Sequence, residues 1–279
     1  MRAEAKLFRH VLKRSIAGLA ALAALAPLPA WSQGDLLIAP TRLVLDGRRG
    51  GEVILANMGN EEATYRISLE LRRMDENGSL VLVEEGEATA KEKAALEMIR
   101  YAPRRVTLPP DQPQSVRISA RAGADLPDGE YRVHMSFAAL PRVESVAETP
   151  VGEGISISLT PIYGIVMPII VRKGELQVTA GLANPRIERT ERGDLFALDM
   201  VRSGTSSVYG DLMVFARGAS EPSFVARGIG VYPEIERRHT SFGLSPEQAA
   251  AMKGPVRIEL REAVESGGGL IAALDAVLG

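Results

Sequence analysis

The stretch from Ile155 to Val171 reads ISISLTPIYGIVMPIIV. Ile155, Ile157 and Leu159 alternate with Ser156, Ser158 and Thr160, which is the period of a half-buried strand. The run then becomes almost wholly apolar and stops at Arg172-Lys173-Gly174-Glu175. An alternating strand at the end of a domain, just before a hinge, is a candidate edge strand. Large apolar side chains on such an edge invite pairing with another chain unless they are covered. The pattern therefore predicts a partner-facing role for Ile155, Ile157 and Leu159. Packing inside their own sandwich is the other reading. Just upstream, Pro141 to Gly154 is polar and long enough to move or to carry function.

The segments on either side set the fold class. From Leu36 onward the chain shows short strands and turns with almost no helical period. Leu36 to Leu45 is apolar and interrupted by Pro40, which suits an edge position. Thr64 to Met74 alternates, with Tyr65, Ile67, Leu69 and Leu71 on one face. Asn77-Gly78 is a hairpin signal. Residues 84–97 are charged and alanine-rich and read as a loop or one helical turn. About seven strands in this half argue for an immunoglobulin-like sandwich. A second set from Leu176 to Leu260 reads as a smaller sandwich, with Ser245-Pro246-Glu247-Gln248 as a short helix start. The expected fold is all-β: two tandem immunoglobulin-like β-sandwich domains, 33–172 and 175–265. Residues 266–279 form a tail that suits a short amphipathic helix or a frayed end.

The first 32 residues stand apart. Arg2, Lys6, Arg9, Lys13 and Arg14 precede an apolar run from Ile16 to Leu28, and Ala30 and Ser32 supply small residues before Gln33. This is the pattern of a cleaved signal peptide, and the run is short for a membrane span. The full chain has 33 Lys and Arg against 35 Asp and Glu; the first 32 residues hold five basic and one acidic of these, leaving a net charge of −6. That balance argues against nucleic-acid binding. There is no cysteine, so neither a disulfide framework nor a thiolate metal site is available. A cysteine-free exported chain with 46% hydrophobic residues must rely on its cores, and it fits a bacterial periplasm.

Enzymatic signatures are sparse. His10 lies in the leader, and His134 and His239 are isolated. His134 falls on the strand face opposite Tyr131, Val133 and Met135, and reads as a solvated or hydrogen-bonded strand histidine. Gly228-Ile229-Gly230 is not a phosphate loop, because no helix follows it. Asp125 and Asp128 flank Pro127 and are turn residues first. The sequence predicts no catalytic site, no metal and no cofactor.

Four stretches carry a resemblance. They are Pro40-Thr41-Arg42-Leu43, Val53-Ile54-Leu55-Ala56-Asn57, Tyr101 to Pro109 continued by Gln114 to Ile118, and Leu126 to Val133. Gly228 to Arg238, with Tyr232-Pro233, is loosely similar as well. Their order and spacing resemble the PapD-like periplasmic chaperones of the chaperone–usher family, over most of the chain after its leader. The resemblance implies a chaperone that lends an edge strand to a pilus or fimbrial subunit lacking its last strand, then delivers it to an outer-membrane usher. Ile155, Ile157 and Leu159 would be the inserted residues. Arg42 matches the cation that holds the client's terminal carboxylate in the cleft between domains, a task suited to its planar fork. The resemblance leaves open whether the free protein caps itself as a dimer, and implies no nucleic acid and no stable membrane insertion.

The departures are specific. The family places a lysine near the end of the donor strand, but Ile155 to Val171 holds no lysine or arginine. Tyr163 or Gly164 occupies that place, and Tyr163 reads as a core or hinge aromatic. The family's aromatic-Arg-Pro ending is replaced by Val166-Met167-Pro168. Glu130 matches the acidic member of an interdomain ion-pair network and is expected to lack its partner. Arg104 or Arg172 would then serve as a second cation. A two-domain immunoglobulin-like surface or binding module, with Arg42 facing solvent, is the alternative.

Overall fold

A computed structural model describes residues 36–141 and 163–279, apart from the side chain of Glu265. Residues 1–35, which include the expected leader, and residues 142–162, which include Ile155, Ile157 and Leu159, lie outside the described residues.

The N-terminal half contains β1 (Leu36–Ala39), β2 (Leu43–Leu45), β3 (Gly51–Asn57), β4 (Ala63–Glu70), β5 (Arg72–Met74), β6 (Leu80–Leu82), α1 (Ala90–Met98), β7 (Ile99–Ala102), β8 (Arg105–Leu108), β9 (Gln114–Ala120), β10 (Gly129–Leu140) and β11 (Gly164–Lys173). They form a four-stranded sheet, β1-β3-β9-β7, and a five-stranded sheet, β2-β11-β10-β4-β8, with β5-β6 as a separate hairpin. The alternation seen in the sequence turns Val53, Leu55, Tyr65, Ile67, Val133 and Phe137 inward into one core between the two sheets.

The apolar run around Pro40 splits between the two sheets. β1 pairs antiparallel with β3, and after Pro40 the chain crosses so that β2 pairs parallel with β11. Both pieces are edge strands, as the internal proline suggests. The β2 contact is short: Leu43↔Ile169, Val44↔Ile170 and Leu45↔Val171.

Two local expectations change. Residues 90–98 form a nine-residue helix rather than a loop or a single turn. Thr89 caps it: its side chain accepts from Glu92 N at 3.2 Å, and the Glu92 carboxylate accepts from Thr89 N at 2.8 Å. Ala95 and Met98 on this helix are buried in the core.

The C-terminal half contains β12 (Val178–Thr190), β13 (Gly193–Gly204), β14 (Val208–Ala216), β15 (Phe224–Val231), β16 (Arg237–Gly243), α2 (Pro246–Ala251), β17 (Gly254–Arg261), a 3-10 turn (Val264–Ser266) and β18 (Leu270–Leu278). Sheets β12-β13-β16 and β15-β14-β17-β18 enclose Phe196, Leu198, Leu212, Ile258 and Leu260. Ser245 caps α2 as its sequence signature suggests. The tail is neither a helix nor a frayed end. It is β18, paired antiparallel with β17 from Gly254↔Leu278 to Arg261↔Leu270. Period two decides this. Ala272, Leu274 and Ala276 pack on the core while Ala273, Asp275 and Val277 stay exposed.

A third, small apolar cluster joins the halves. Met74 and Ile170 meet Tyr232, with Leu80 and Ile235 packed around them. Among the described residues no helix is long and apolar enough to cross a membrane, and no three metal-ligating side chains are grouped.

Asn57, at the end of β3, is fully buried. Its amide donates to Glu61 O at 2.6 Å and Leu108 O at 2.9 Å, and its side-chain oxygen accepts from Gly59 N at 3.0 Å. Asn57→Ala leaves these backbone groups without those partners, so we expect a loss of roughly 2–4 kcal/mol. Urea unfolding checks this: the midpoint falls while the slope stays constant.

Candidate partner-binding site

The site is built around β11. One edge of β11 is sealed by β10 along its whole length, from Gly129↔Lys173 to Ala138↔Gly164. The other edge is covered by β2 only at Ile169–Val171. Among the described residues, no strand covers the outer edge of Gly164–Pro168. By parity Ile165 shares the core face with Met167 and Ile169, yet it is 41% exposed. Tyr163 is 61% exposed, so it belongs neither to a core nor to a packed hinge.

Arg42 stands at the other end of that edge, one residue before β2. It does not face solvent as an ordinary strand arginine would. Its Nη2 donates to Ser207 Oγ at 3.2 Å in the second domain, and its guanidinium lies 4.4 Å from the ring centroid of Tyr209. Burial is the main cause of a lowered Arg42 pKa, and nearby Arg172 adds to it, while Tyr232, Glu130 and Tyr209 oppose it.

Glu130 and Arg172 lie directly opposite each other on β10 and β11. Both project from the face of the five-stranded sheet that looks away from its core, so the ladder itself brings them together. Arg172 Nε donates to Glu130 Oε2 at 3.2 Å. Ser207 donates to the same oxygen twice, from its backbone N at 3.0 Å and its Oγ at 2.8 Å. Glu130 is therefore partnered, against expectation. Arg172 supplies this partner from the face of β11 opposite to Met167, which is buried in the core. Buried Arg202 is also lowered mainly by burial and is held up by Glu130, Glu234 and Glu236. Glu130 touches Arg172 and also lies in the electrostatic surroundings of Arg42 and Arg202.

Of the two candidates for a second cation, Arg172 sits beside Arg42. Arg104 does not. It follows β7 with its guanidinium 5.4 Å from the Tyr101 ring, next to β8, which is the opposite edge of the sheet from β2.

Several groups here escaped the sequence. Arg132, two residues beyond Glu130 on the same face, pairs with Glu234 and lies 3.7 Å from the Tyr232 centroid. Glu234 Oε1 also accepts from Met74 N at 2.7 Å, and His239 N donates to Glu76 O at 2.6 Å. These contacts seat the β5-β6 hairpin on the second domain. The available signal was the polar series Glu130, Arg132 and His134 on a strand whose other face is core. Three such residues in a row mark a face with a partner of its own.

His134 corrects its expectation most sharply. It is fully buried, and neither ring nitrogen has a hydrogen-bond partner among the described residues. Its ring meets Tyr232 edge-on at 6.4 Å and 74°. Burial, reinforced by Arg132 and Arg72, pushes its pKa down to about 3. Parity placed His134 on the right face, but the second domain covers that face.

No family model matches the chain, and no curated protein sequence matches it. Among solved structures it is similar to the CsuC–CsuE chaperone–tip adhesion subunit pre-assembly complex from archaic chaperone-usher Csu pili of Acinetobacter baumannii, at 10% identity over 88% of this chain and 99% of that one, with a TM-score of 0.44. It is similar to the CupB2 chaperone of Pseudomonas aeruginosa, at 14% identity over 87% and 100%, with a TM-score of 0.43. It is also similar to the Salmonella enterica SafA pilin–SafB chaperone complex, at 16% identity over 89% and 99%, with a TM-score of 0.44. Likenesses of this size transfer no residue roles, and the cleft is read from its own contacts.

The buried histidine has a measurable consequence. Native His134 stays neutral down to about pH 3, whereas the unfolded chain takes up its proton near pH 6.5. Stability is thus lost as pH falls from 6.5 toward 3, by up to about 1.4 kcal/mol per pH unit. We expect His134→Leu to be increasingly more stable than the native chain across that window. Urea midpoints at pH 7.5 and 4.5 test this; a constant offset between the two proteins contradicts it.

Proposed function

We propose that this chain is a periplasmic chaperone for pilus or fimbrial-type subunits, which it binds and caps by lending an edge strand and then delivers to an outer-membrane usher. The observation that carries this reading is the edge of β11 at Gly164–Pro168, which no strand among the described residues covers and which ends at Arg42 and Arg172.

The geometry supports a definite mode of capture. A foreign strand laid along β11 satisfies the free backbone groups of that edge. It cannot run past Ile169, because β2 already occupies the edge from there. A client whose terminal carboxylate reaches Arg42 must therefore run in the same direction as β11, in line with β2. Counting back from Ile165 with period two, Ile155, Ile157 and Leu159 fall on the core-side face of an extended β11. There they can fill the open groove of a subunit that lacks its last strand. Each such side chain, once buried, contributes about 1.5–3 kcal/mol. In this reading Arg42, held by Ser207 and Tyr209 rather than by an acid, offers its guanidinium to one more carboxylate, with Arg172 beside it. Export by the N-terminal leader belongs to the same reading.

Co-expression with a subunit encoded beside this chain tests the proposal. We expect a soluble complex that is lost when Ile157 and Leu159 are both replaced by Asp and weakened by Arg42→Ala. An equal yield of soluble subunit with and without this chain would remove the assembly role. A complex indifferent to all three substitutions would favour a two-domain binding module that uses another surface.

A further inference from the structure

We infer that Tyr209 is a positioning residue for the carboxylate anchor: its ring is the platform that presents the Arg42 guanidinium edge-on to an incoming carboxylate. The inference rests on the proposed role of Arg42 and adds to it a specificity element supplied by the second domain.

Tyr209 touches the guanidinium through its face, 4.4 Å from the ring centroid. Stacking of this kind holds the cation without consuming the in-plane N–H donors. A carboxylate beneath Arg42 would instead neutralise it and compete with the client. The nearest acid, Glu130, is occupied at Oε2 by both Ser207 donors and by Arg172. Ser207 takes one Arg42 hydrogen through its hydroxyl, and the planar fork needs only two parallel donors for a carboxylate. Ser207 immediately precedes β14 and Tyr209 is its second residue; two apart in extended chain, they lie on the same side, and both reach Arg42.

The ring is itself held from behind by glycine. Tyr209 is opposite Gly230 in the β14–β15 ladder. A Cβ on Gly230 would stand 3.4 Å from Tyr209 Cδ2, and one on Gly228 would stand 2.8 Å from Tyr209 Oη. Gly228 has φ +70°, in the left-handed region, beside the bulge between Gly210 and Leu212, where its N–H donates to Asp211 Oδ1 at 2.9 Å. The Gly-Ile-Gly stretch that holds no phosphate is thus a slot for this ring. The anchor is complete only when strand β14 of the second domain is docked beside Arg42 of the first.

The test compares the full chain, Tyr209→Phe and Tyr209→Leu, each with its melting temperature recorded. The probe is a synthetic peptide of alternating valine and threonine, made once with a free C-terminal carboxylate and once amidated. The readout is the ratio of the two affinities. We expect the native chain to prefer the free acid, Tyr209→Phe to keep that preference within about twofold, and Tyr209→Leu to reduce it roughly tenfold. If the native chain binds both peptides equally, the carboxylate anchor itself falls and takes this inference with it. If the native chain discriminates and Tyr209→Leu keeps the full ratio, Tyr209 only packs, and the inference alone is overturned. Loss of the ratio in Tyr209→Phe would assign the effect to the hydroxyl and overturn the stacking argument. Should Tyr209→Leu prove unfolded, Gly230→Val displaces the ring from behind and is judged by the same ratio.

Discussion

Three parallel backbone pairs, between Leu43–Leu45 and Ile169–Val171, govern the rest of this molecule. Because the first strand is divided between two sheets, its second piece is too short to cover β11. The same division delivers Arg42 to the point where that cover begins. A longer β2 would seal the five-stranded sheet and leave nothing for a partner. A missing β2 would leave the edge with no stop and no cation at its end. Exposed apolar edges are normally blunted by charge, proline or a bulge. Among the described residues of this edge, Pro168 alone interrupts it, and Tyr163 and Ile165 remain accessible. An edge of that kind has a use or is a hazard.

The joint between the domains obeys a different rule from the two cores. Its apolar part is small, and polar contacts surround it: Glu130 with Ser207, Arg42 with Ser207 and Tyr209, and Arg132 with Glu234 and Tyr232. Buried ion pairs add little net stability, because desolvation offsets most of the Coulomb attraction, but breaking one partner is costly. Their effect is to penalise wrong orientations of the two domains. His134 is consistent with this. A buried, unpartnered imidazole is a poor stabiliser, and it is tolerated here where the second domain closes over β10. The proposed anchor draws on both sides of this joint, so in that reading interdomain geometry and client recognition are tied together through Ser207 and Tyr209.

Strand positions were largely legible, because period-two alternation survives in β3, β4, β9 and β10, where one face meets a core. Legibility failed where composition blurred the period. β18 is LIAALDAVL, and its alanines look alike inside and outside. α1 was hidden by its charged, weakly amphipathic sequence, although Thr89 and Glu92 stood at capping-box spacing. The site was legible in part. Arg42 was singled out only through the family resemblance, as a basic residue just past Pro40, and Arg172 as one of two cations that the resemblance left open. Ser207 and Tyr209 could not, since a contact across 165 residues leaves no local pattern. The Glu130–Arg172 pair required the β10–β11 register, and register is a property of the folded ladder rather than of either strand.

Backbone amide hydrogen exchange on a purified complex of this chain with a co-expressed subunit tests the central claim most directly. If a foreign strand lies along β11, the amides between Ile155 and Met167 gain strong protection in the complex, while those of β2 stay as they are in the free chain. Unchanged exchange across that stretch in a stable complex, with protection appearing elsewhere, would contradict it.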